Sequence, residues 1–130
     1  MLPNGDSTQL TRLLQTLPCR VAIPDWYLAL MERGTTPSRT QPDERRRFAR
    51  FNFPVKAVMT CGGNLPALPR TAEPHLVLCK DLSRSGICLL HAEPLYPGEE
   101  ILLWLATGRK KYTVRRCRRH QPQCFEIGVQ

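Results

Sequence analysis

The stretch ERRRFARF, residues 44 to 51, places four arginines within eight positions, directly before a segment that alternates like a β-strand. In an extended chain Arg46 and Arg50 would lie about 13 Å apart on one face, and a curved loop would bring both around one small ligand. A guanidinium group can pair with a phosphate through two hydrogen bonds, dock on the O6 and N7 edge of guanine, or stack over a base. These arginines therefore suggest recognition of an anionic nucleotide.

The hexapeptide DLSRSG, residues 81 to 86, could supply the complementary half of such a site. Asp81 and Ser83 project to the same side of an extended chain, and Gly86 permits a positive φ at the entry to the next strand. The Asp81 carboxylate offers guanine N1–H and N2–H an acceptor that arginine lacks. For this hexapeptide alone the competing interpretation is an ordinary turn, because Asp and Ser also bond their own backbone there.

Two helices are predicted in the N-terminal third, at residues 6–17 and 24–33, and residues 34–43 have the composition of a linker. Pro24 suits the first turn of the second helix and Gly34 suits its C-terminal cap. We expect the helices either to dock on the main domain or to bind a protein partner. Their apolar sides would consist of Leu10, Leu13, Leu14 and Leu17 in the first helix and Trp26, Tyr27, Leu30 and Met31 in the second.

Beyond the linker the apolar pattern changes from helical to alternating, as is typical of half-buried strands. The connections are short and leave no room for crossover helices, so the strands should pair antiparallel. Closure into a barrel would remove exposed edges. The expected fold is mainly β, a small six-stranded antiparallel barrel at 39–130 with an N-terminal helical extension and linker at 1–38. The candidate strands are 51–60, 75–80, 86–92, 99–106, 110–119 and 123–130.

The order and spacing of the two polar motifs carry a resemblance to a known family. RRFAR preceded by Arg45, with DLSRSG about thirty residues later, resembles the RRxxxR and (D/N)xSxxG signature of PilZ domains, which bind the bacterial second messenger cyclic di-GMP. YPGEEILLWL and FEIGVQ are similar to the fourth and last strands of the PilZ barrel. The resemblance spans about residues 43–130 and implies a small six-stranded barrel that binds this dinucleotide.

The resemblance also assigns the contacts with cyclic di-GMP to six positions. It implies that the arginines of the leader, the segment just before the first strand, clamp phosphates and guanine edges. An aspartate would pair with guanine, and a serine would bond a phosphate or ribose-side oxygen. A glycine would hold the turn. These residues are Arg45, Arg46, Arg50, Asp81, Ser83 and Gly86. We expect the leader to become ordered when its charge is neutralised by phosphate, which would change contacts with a partner.

The net charge of +8 allows a second interpretation, a small basic barrel that binds RNA or single-stranded DNA. The segment RKKYTVRRCRR, residues 109–119, contains seven basic residues and one aromatic. We favour a solvated outer strand face with Val114 and Tyr112 pointing inward, because the chain shows no ladder of aromatic residues for stacking bases.

Catalysis, metal binding and membrane insertion are not expected from this sequence. The acidic pairs Asp43–Glu44 and Glu99–Glu100 would point to opposite faces, so no catalytic set converges and no cofactor is indicated. The six cysteines and three histidines lack the spacing of a zinc site. No secretory signal or long apolar stretch occurs, which predicts a cytoplasmic protein with reduced thiols. The expected partners are cyclic di-GMP and a protein bound through the N-terminal helices.

Overall fold

The computed structural model of the protein describes residues 7–33, 36–37 and 50–130. The helices in these ranges are α1 (Ser7–Thr16) and α2 (Asp25–Arg33). The strands are β1 (Thr36–Pro37), β2 (Arg50–Asn52), β3 (Lys56–Cys61), β4 (His75–Ser83), β5 (Ile87–His91), β6 (Glu100–Leu105), β7 (Gly108–Gln121) and β8 (Cys124–Val129).

Six of these strands form a closed antiparallel barrel. The order around the barrel is β4, β3, β6, β7, β8 and β5, and β5 pairs back with β4 to close the sheet. Strand β2 pairs with the far end of β4, and β1 is an extra strand beside β2. The expected mainly β fold, a six-stranded antiparallel barrel with two N-terminal helices, is confirmed.

The predicted first strand, 51–60, is split into β2 and β3 around Pro54. Both parts run beside β4, since β2 pairs with residues 81–83 and β3 with residues 75–78. Proline cannot donate to a ladder, and its neighbours make irregular bonds instead. The Phe53 N–H donates to the Lys80 carbonyl at 2.9 Å. The interruption leaves β2 as a separate short segment at the rim of the barrel.

Apolar residues at every second position of the strands fill the barrel interior. Tyr112 and Val114 belong to this core, as the alternation of the basic strand predicted. Branched and long aliphatic side chains fill the space between the strands without polar atoms, which favours a well-packed interior. The most deeply buried members include Met59, Val77, Leu89, Ile101, Leu103 and Ile127.

Both helices pack against the outside of the barrel. The leucines of α1 cover Val58 and Trp104, and Leu10 is only 4% exposed. In α2, Tyr27 is completely buried against Leu78 and neighbouring barrel residues. The docking interpretation of the helices therefore holds for these faces.

The remaining apolar side of α2 is less buried than expected. Trp26 is 41% exposed and Met31 is 40% exposed, whereas Leu30 is partly buried. Within the described residues neither helix is long and apolar enough to cross a membrane.

Candidate functional site

The two polar motifs meet at one rim of the barrel. Strand β2 pairs with β4 so that Arg50 lies opposite Ser83 and Asn52 lies opposite Asp81. Directly paired residues in antiparallel strands have Cα atoms roughly 4.5 to 5.5 Å apart. Of Arg50 only the backbone is described, while Arg45 and Arg46 lie outside the described residues. The pairing therefore shows that the arginine-rich leader joins the barrel beside residues 81–83 of β4, which we call the Asp81 edge.

Asp81 faces outward because β4 contains a bulge. The β4–β5 register shifts between Cys79 and Asp81, which makes Lys80 the extra residue. Cys79 is buried in the core and Leu82 packs against the core, so Lys80 and Asp81 are consecutive outward residues. In a regular strand Asp81 would point inward with Cys79. The bulge thus places the Asp81 carboxylate on the outer face of the barrel, on the same side as Ser83, where the residue is still only 9% exposed.

A tight turn connects this edge to β5. The Ser83 N–H donates to the Gly86 carbonyl at 2.9 Å, and Ser83 Oγ lies 3.4 Å from Ser85 Oγ. The expectation that Gly86 supplies a positive φ is wrong, because Gly86 is not among the residues with that conformation in the described chain. Glycine is needed for space instead, since a Cβ atom there would collide with the carbonyl oxygen of Val129.

A solvent-open recess of about 90 Å³ lies beside this turn. Three of the six predicted ligand residues line it, and residues of β7 and β8 form the opposite side. The two sides carry groups of opposite sign, a carboxylate on one and guanidinium groups on the other. The lining that matters here consists of Asp81, Ser83 and Gly86 on one side and Arg115, Arg116 and Gly128 on the other.

A model of the PilZ domain family matches residues 44–130, which is 87 of the 130 residues. The chain belongs to the PilZ domain family. PilZ domains are binding and adaptor domains of a cyclic di-GMP receptor family, and the matched range contains all six predicted ligand positions. Neither the comparison with curated proteins nor that with solved structures found a match.

Charged groups next to the recess of this PilZ barrel form a connected row. Lys80 Nζ lies 3.6 Å from Asp81 Oδ2 and 3.5 Å from Glu126 Oε1. His120 Nε2 lies 2.7 Å from the same Glu126 oxygen. Burial favours a raised pKa for Glu126, but the hydrogen bond to His120 and the charge of Lys80 outweigh it and lower that pKa. Glu126 therefore stays ionised at neutral pH and holds Lys80 beside Asp81.

The floor of the recess includes a buried thiol, Cys88. Burial, followed by the nearby carboxylates Glu126 and Asp81, raises the pKa of Cys88. The thiol is free and 3% exposed. Because it remains protonated at neutral pH, the thiol donates a hydrogen bond to Glu126 and does not act as a nucleophile.

The basic strand β7 offers little to a polynucleotide. The Arg109 guanidinium lies 4.1 Å from the centre of the Trp104 ring, and Lys110 Nζ lies 5.2 Å from that of Tyr112. Both rings are more than nine-tenths buried. Base stacking on single-stranded nucleic acid needs exposed aromatic faces. The solvated-face interpretation of residues 109–111 is therefore favoured over the stacking platform.

Sequence reasoning did not assign Arg115 and Arg116 to the site. Both were treated as members of a solvated basic strand, yet both line the recess. Their basic character was visible, but their orientation depends on a local irregularity between β7 and β8. No signal in the local sequence separates them from Arg118 and Arg119.

Proposed function

We propose that this PilZ protein is a cytoplasmic cyclic di-GMP receptor, not an enzyme, and that the dinucleotide binds between the arginine-rich leader and the Asp81 edge of the barrel. The observation that carries the proposal is the β2–β4 pairing, which sets Arg50 opposite Ser83 and Asn52 opposite Asp81. It joins the two halves of the family signature at one rim.

The chemistry of the residues suits a guanine dinucleotide. The Asp81 carboxylate accepts from guanine N1–H and N2–H, and the Ser83 hydroxyl bonds a phosphate or ribose-side oxygen. Arg45, Arg46 and Arg50 bind the phosphates and the guanine O6 and N7 edge. Gly86 allows β5 to approach β8 closely, which keeps the turn below the ligand. No cofactor takes part in this binding.

The leader changes its conformation in this proposal. Residues 38–49 connect β1 to β2, and these two strands pair through Pro37 and Phe51. Both ends of the leader are therefore tied to the same edge of the sheet. Neutralising its clustered arginines with phosphate orders it, because the repulsion between them is removed. The ordering alters how a protein partner meets the N-terminal helices, on the side of α2 that the barrel leaves exposed.

Calorimetric titration with cyclic di-GMP tests the proposal, with GTP and a short single-stranded RNA as controls. We expect saturable binding of cyclic di-GMP, weaker binding of GTP, and recovery of the dinucleotide unchanged. A small ligand releases few counterions, so the affinity should depend weakly on salt. Absence of binding, or tighter binding of RNA with a steep salt dependence, would overturn the proposal in favour of a nucleic-acid-binding barrel.

A further inference from the structure

A bulge in β7 turns two consecutive arginines toward the solvent beside the recess. The β7–β8 register shifts between Val114 and Arg116. Val114 is 1% exposed in the core, Arg115 and Arg116 are both exposed, and Cys117 packs against the core again. Without the bulge, the alternation of the strand would direct Arg116 inward with Val114. The irregularity therefore puts a guanidinium group where the sequence pattern would place a core residue.

Arg116 and Asp81 lie on one row across four strands. Arg116 is opposite Gly128, Gly128 is opposite Cys88, and Cys88 is opposite Asp81. Three strand spacings separate the ends of the row, about 14 Å in all. Between them are a residue without a side chain and one with a short side chain. The small residues Gly128 and Cys88 leave space above the sheet, with the Arg116 guanidinium at one end of the row and the Asp81 carboxylate at the other.

The Arg116 side chain lies across Gly128. A Cβ atom on Gly128 would be 2.8 Å from Arg116 Nε and 3.0 Å from its Cγ. Among the described residues the nearest acidic group is Glu126, whose Oε2 is 3.9 Å from Arg116 Nη2, and the arginine side chain is 55% exposed. A long, exposed ion pair of this kind holds a side chain only weakly. Arg116 is thus directed over the recess while its donors stay accessible to a ligand.

We infer that Arg116, with Arg115 beside it, is a further ligand-binding residue that binds a phosphate of the dinucleotide from the barrel wall facing Asp81. This inference rests on the proposed function. A cyclic dinucleotide carries two phosphates, and a guanidinium group pairs with a phosphate through two parallel hydrogen bonds. The leader supplies cations from one side of the ligand, and β7 supplies them from a strand whose position is fixed before the ligand arrives.

The test compares Arg116→Ala with Arg118→Ala by calorimetric titration of the full chain with cyclic di-GMP. Arg118 is an exposed residue of the same strand that does not line the recess, so both variants lose one positive charge. We expect Arg116→Ala to weaken binding about tenfold and Arg118→Ala to change it less than about twofold. Arg116→Gln, which keeps a long polar side chain over Gly128, should lose as much affinity as Arg116→Ala. Thermal unfolding of each variant verifies the fold.

The outcomes separate the inference from the function on which it rests. If the unaltered protein binds cyclic di-GMP and both Arg116 variants bind as tightly, the inference is wrong and the receptor function stands. Equal weakening in the Arg116 and Arg118 variants would also overturn it, because that result reports overall charge alone. If the unaltered protein does not bind, the receptor function itself fails and the inference falls with it.

Discussion

One inserted residue, Lys80, decides that Asp81 lies on the outer face of the barrel, beside the recess. The Lys80 carbonyl accepts from the Phe53 N–H, and its ammonium group lies between Asp81 and Glu126. The backbone of Lys80 thus connects β4 to the segment that follows β2, while its side chain contacts the carboxylates of Asp81 and Glu126. The residue that creates the bulge also contacts the carboxylate that the bulge turns to the outer face of the barrel.

Removal of the Arg50 guanidinium should weaken the binding of cyclic di-GMP. A charge-assisted hydrogen bond contributes roughly 1.5 to 3 kcal/mol, so Arg50→Ala should cost about 2 kcal/mol, near thirtyfold in affinity. Calorimetry measures the change, and Arg47→Ala serves as the control because Arg47 lies outside the signature positions. Equal affinity in Arg50→Ala and the unaltered protein would remove Arg50 from the site.

The close approach of Gly86 to β8 predicts a loss of stability in Gly86→Ala. The added methyl group would meet the Val129 carbonyl oxygen, which is backbone and cannot swing away. Overpacking of this kind typically costs about 1 to 3 kcal/mol. Urea denaturation should show this decrease in the free energy of unfolding, whereas Ser85→Ala at the exposed neighbouring position should change it little. Unchanged stability in Gly86→Ala would mean that β5 and β8 are further apart than described.

At the scale of the elements, the apolar periodicity predicted most of the fold. The helices expected at 6–17 and 24–33 are Ser7–Thr16 and Asp25–Arg33, and every expected strand is present within a few residues of its predicted ends. The split of the first strand, the three register shifts in β4 and β7, and strand β1 inside the expected linker 34–43 were not predicted. Each of these depends on the partner strand, and a single sequence does not show which residues lie opposite each other.

The sequence likewise predicted some residues of the candidate site and missed others. The RRFAR and DLSRSG motifs indicated both halves of the site, because their residue types carry the chemistry of guanine and phosphate recognition. The position of Arg116 beside the recess was missed because alternation from Val114 would direct its side chain into the core. The positive φ expected for Gly86 was wrong, because the structure requires a glycine there for its close contact with β8, a distant part of the chain.

Helix α2 supports the bulge that positions Asp81. The Tyr27 hydroxyl donates to the Cys79 carbonyl at 2.6 Å, immediately before the bulge, and the pair is buried. Burial, followed by the proximity of Cys79, raises the pKa of Tyr27, so the hydroxyl remains a donor. Helix α2 therefore supplies a hydrogen-bond donor to the buried Cys79 carbonyl, next to the bulge in β4.

Tyr27→Phe should destabilise the protein by about 1 to 2 kcal/mol, because a buried carbonyl would lose its hydrogen bond. The measurement is the urea dependence of unfolding. Tyr96→Phe is the matched control, since Tyr96 is 48% exposed, and it should leave stability nearly unchanged. Equal stability of the two variants would show that the Tyr27 bond contributes nothing.

At the scale of the whole molecule, the two helices and the β1–β2 pair are all attached to the barrel. The chain leaves α2, adds β1 to the sheet beside β2, and returns through the leader to β2 itself. The proposed change in the leader would therefore act on β1 and β2, which flank it in the chain and pair with each other beside β4. In the proposed function, binding at this rim would in this way alter the outer surface of the N-terminal helices.

The stability of the whole molecule should fall in mild acid because of His91. This side chain is 4% exposed, and its Nδ1 has no hydrogen-bond partner among the described residues. Burial, then the charges of His75 and Arg70, lowers its pKa to about 4. The unfolded chain, with an ordinary pKa of about 6.5, binds more protons below that value. The stability contribution is complete above about pH 6.5 and is lost as the pH falls toward 4.

The expected loss between pH 6.5 and 4 is at most about 3 kcal/mol in the free energy of unfolding. Urea denaturation across this range measures it, and His91→Phe should flatten the profile because the ring no longer titrates. Glu99 and Glu126 have lowered carboxyl pKa values, so their own contributions are lost at lower pH. An equally steep profile in His91→Phe would contradict the assignment to His91.

Amide hydrogen exchange with and without cyclic di-GMP tests most directly whether leader and barrel edge converge on one ligand. We predict slower exchange in residues 40–50, as the leader becomes ordered, and also in residues 81–86, where the carboxylate and hydroxyl bind the dinucleotide. Exchange that slows in only one of these segments, or in neither, at saturating cyclic di-GMP would contradict the account.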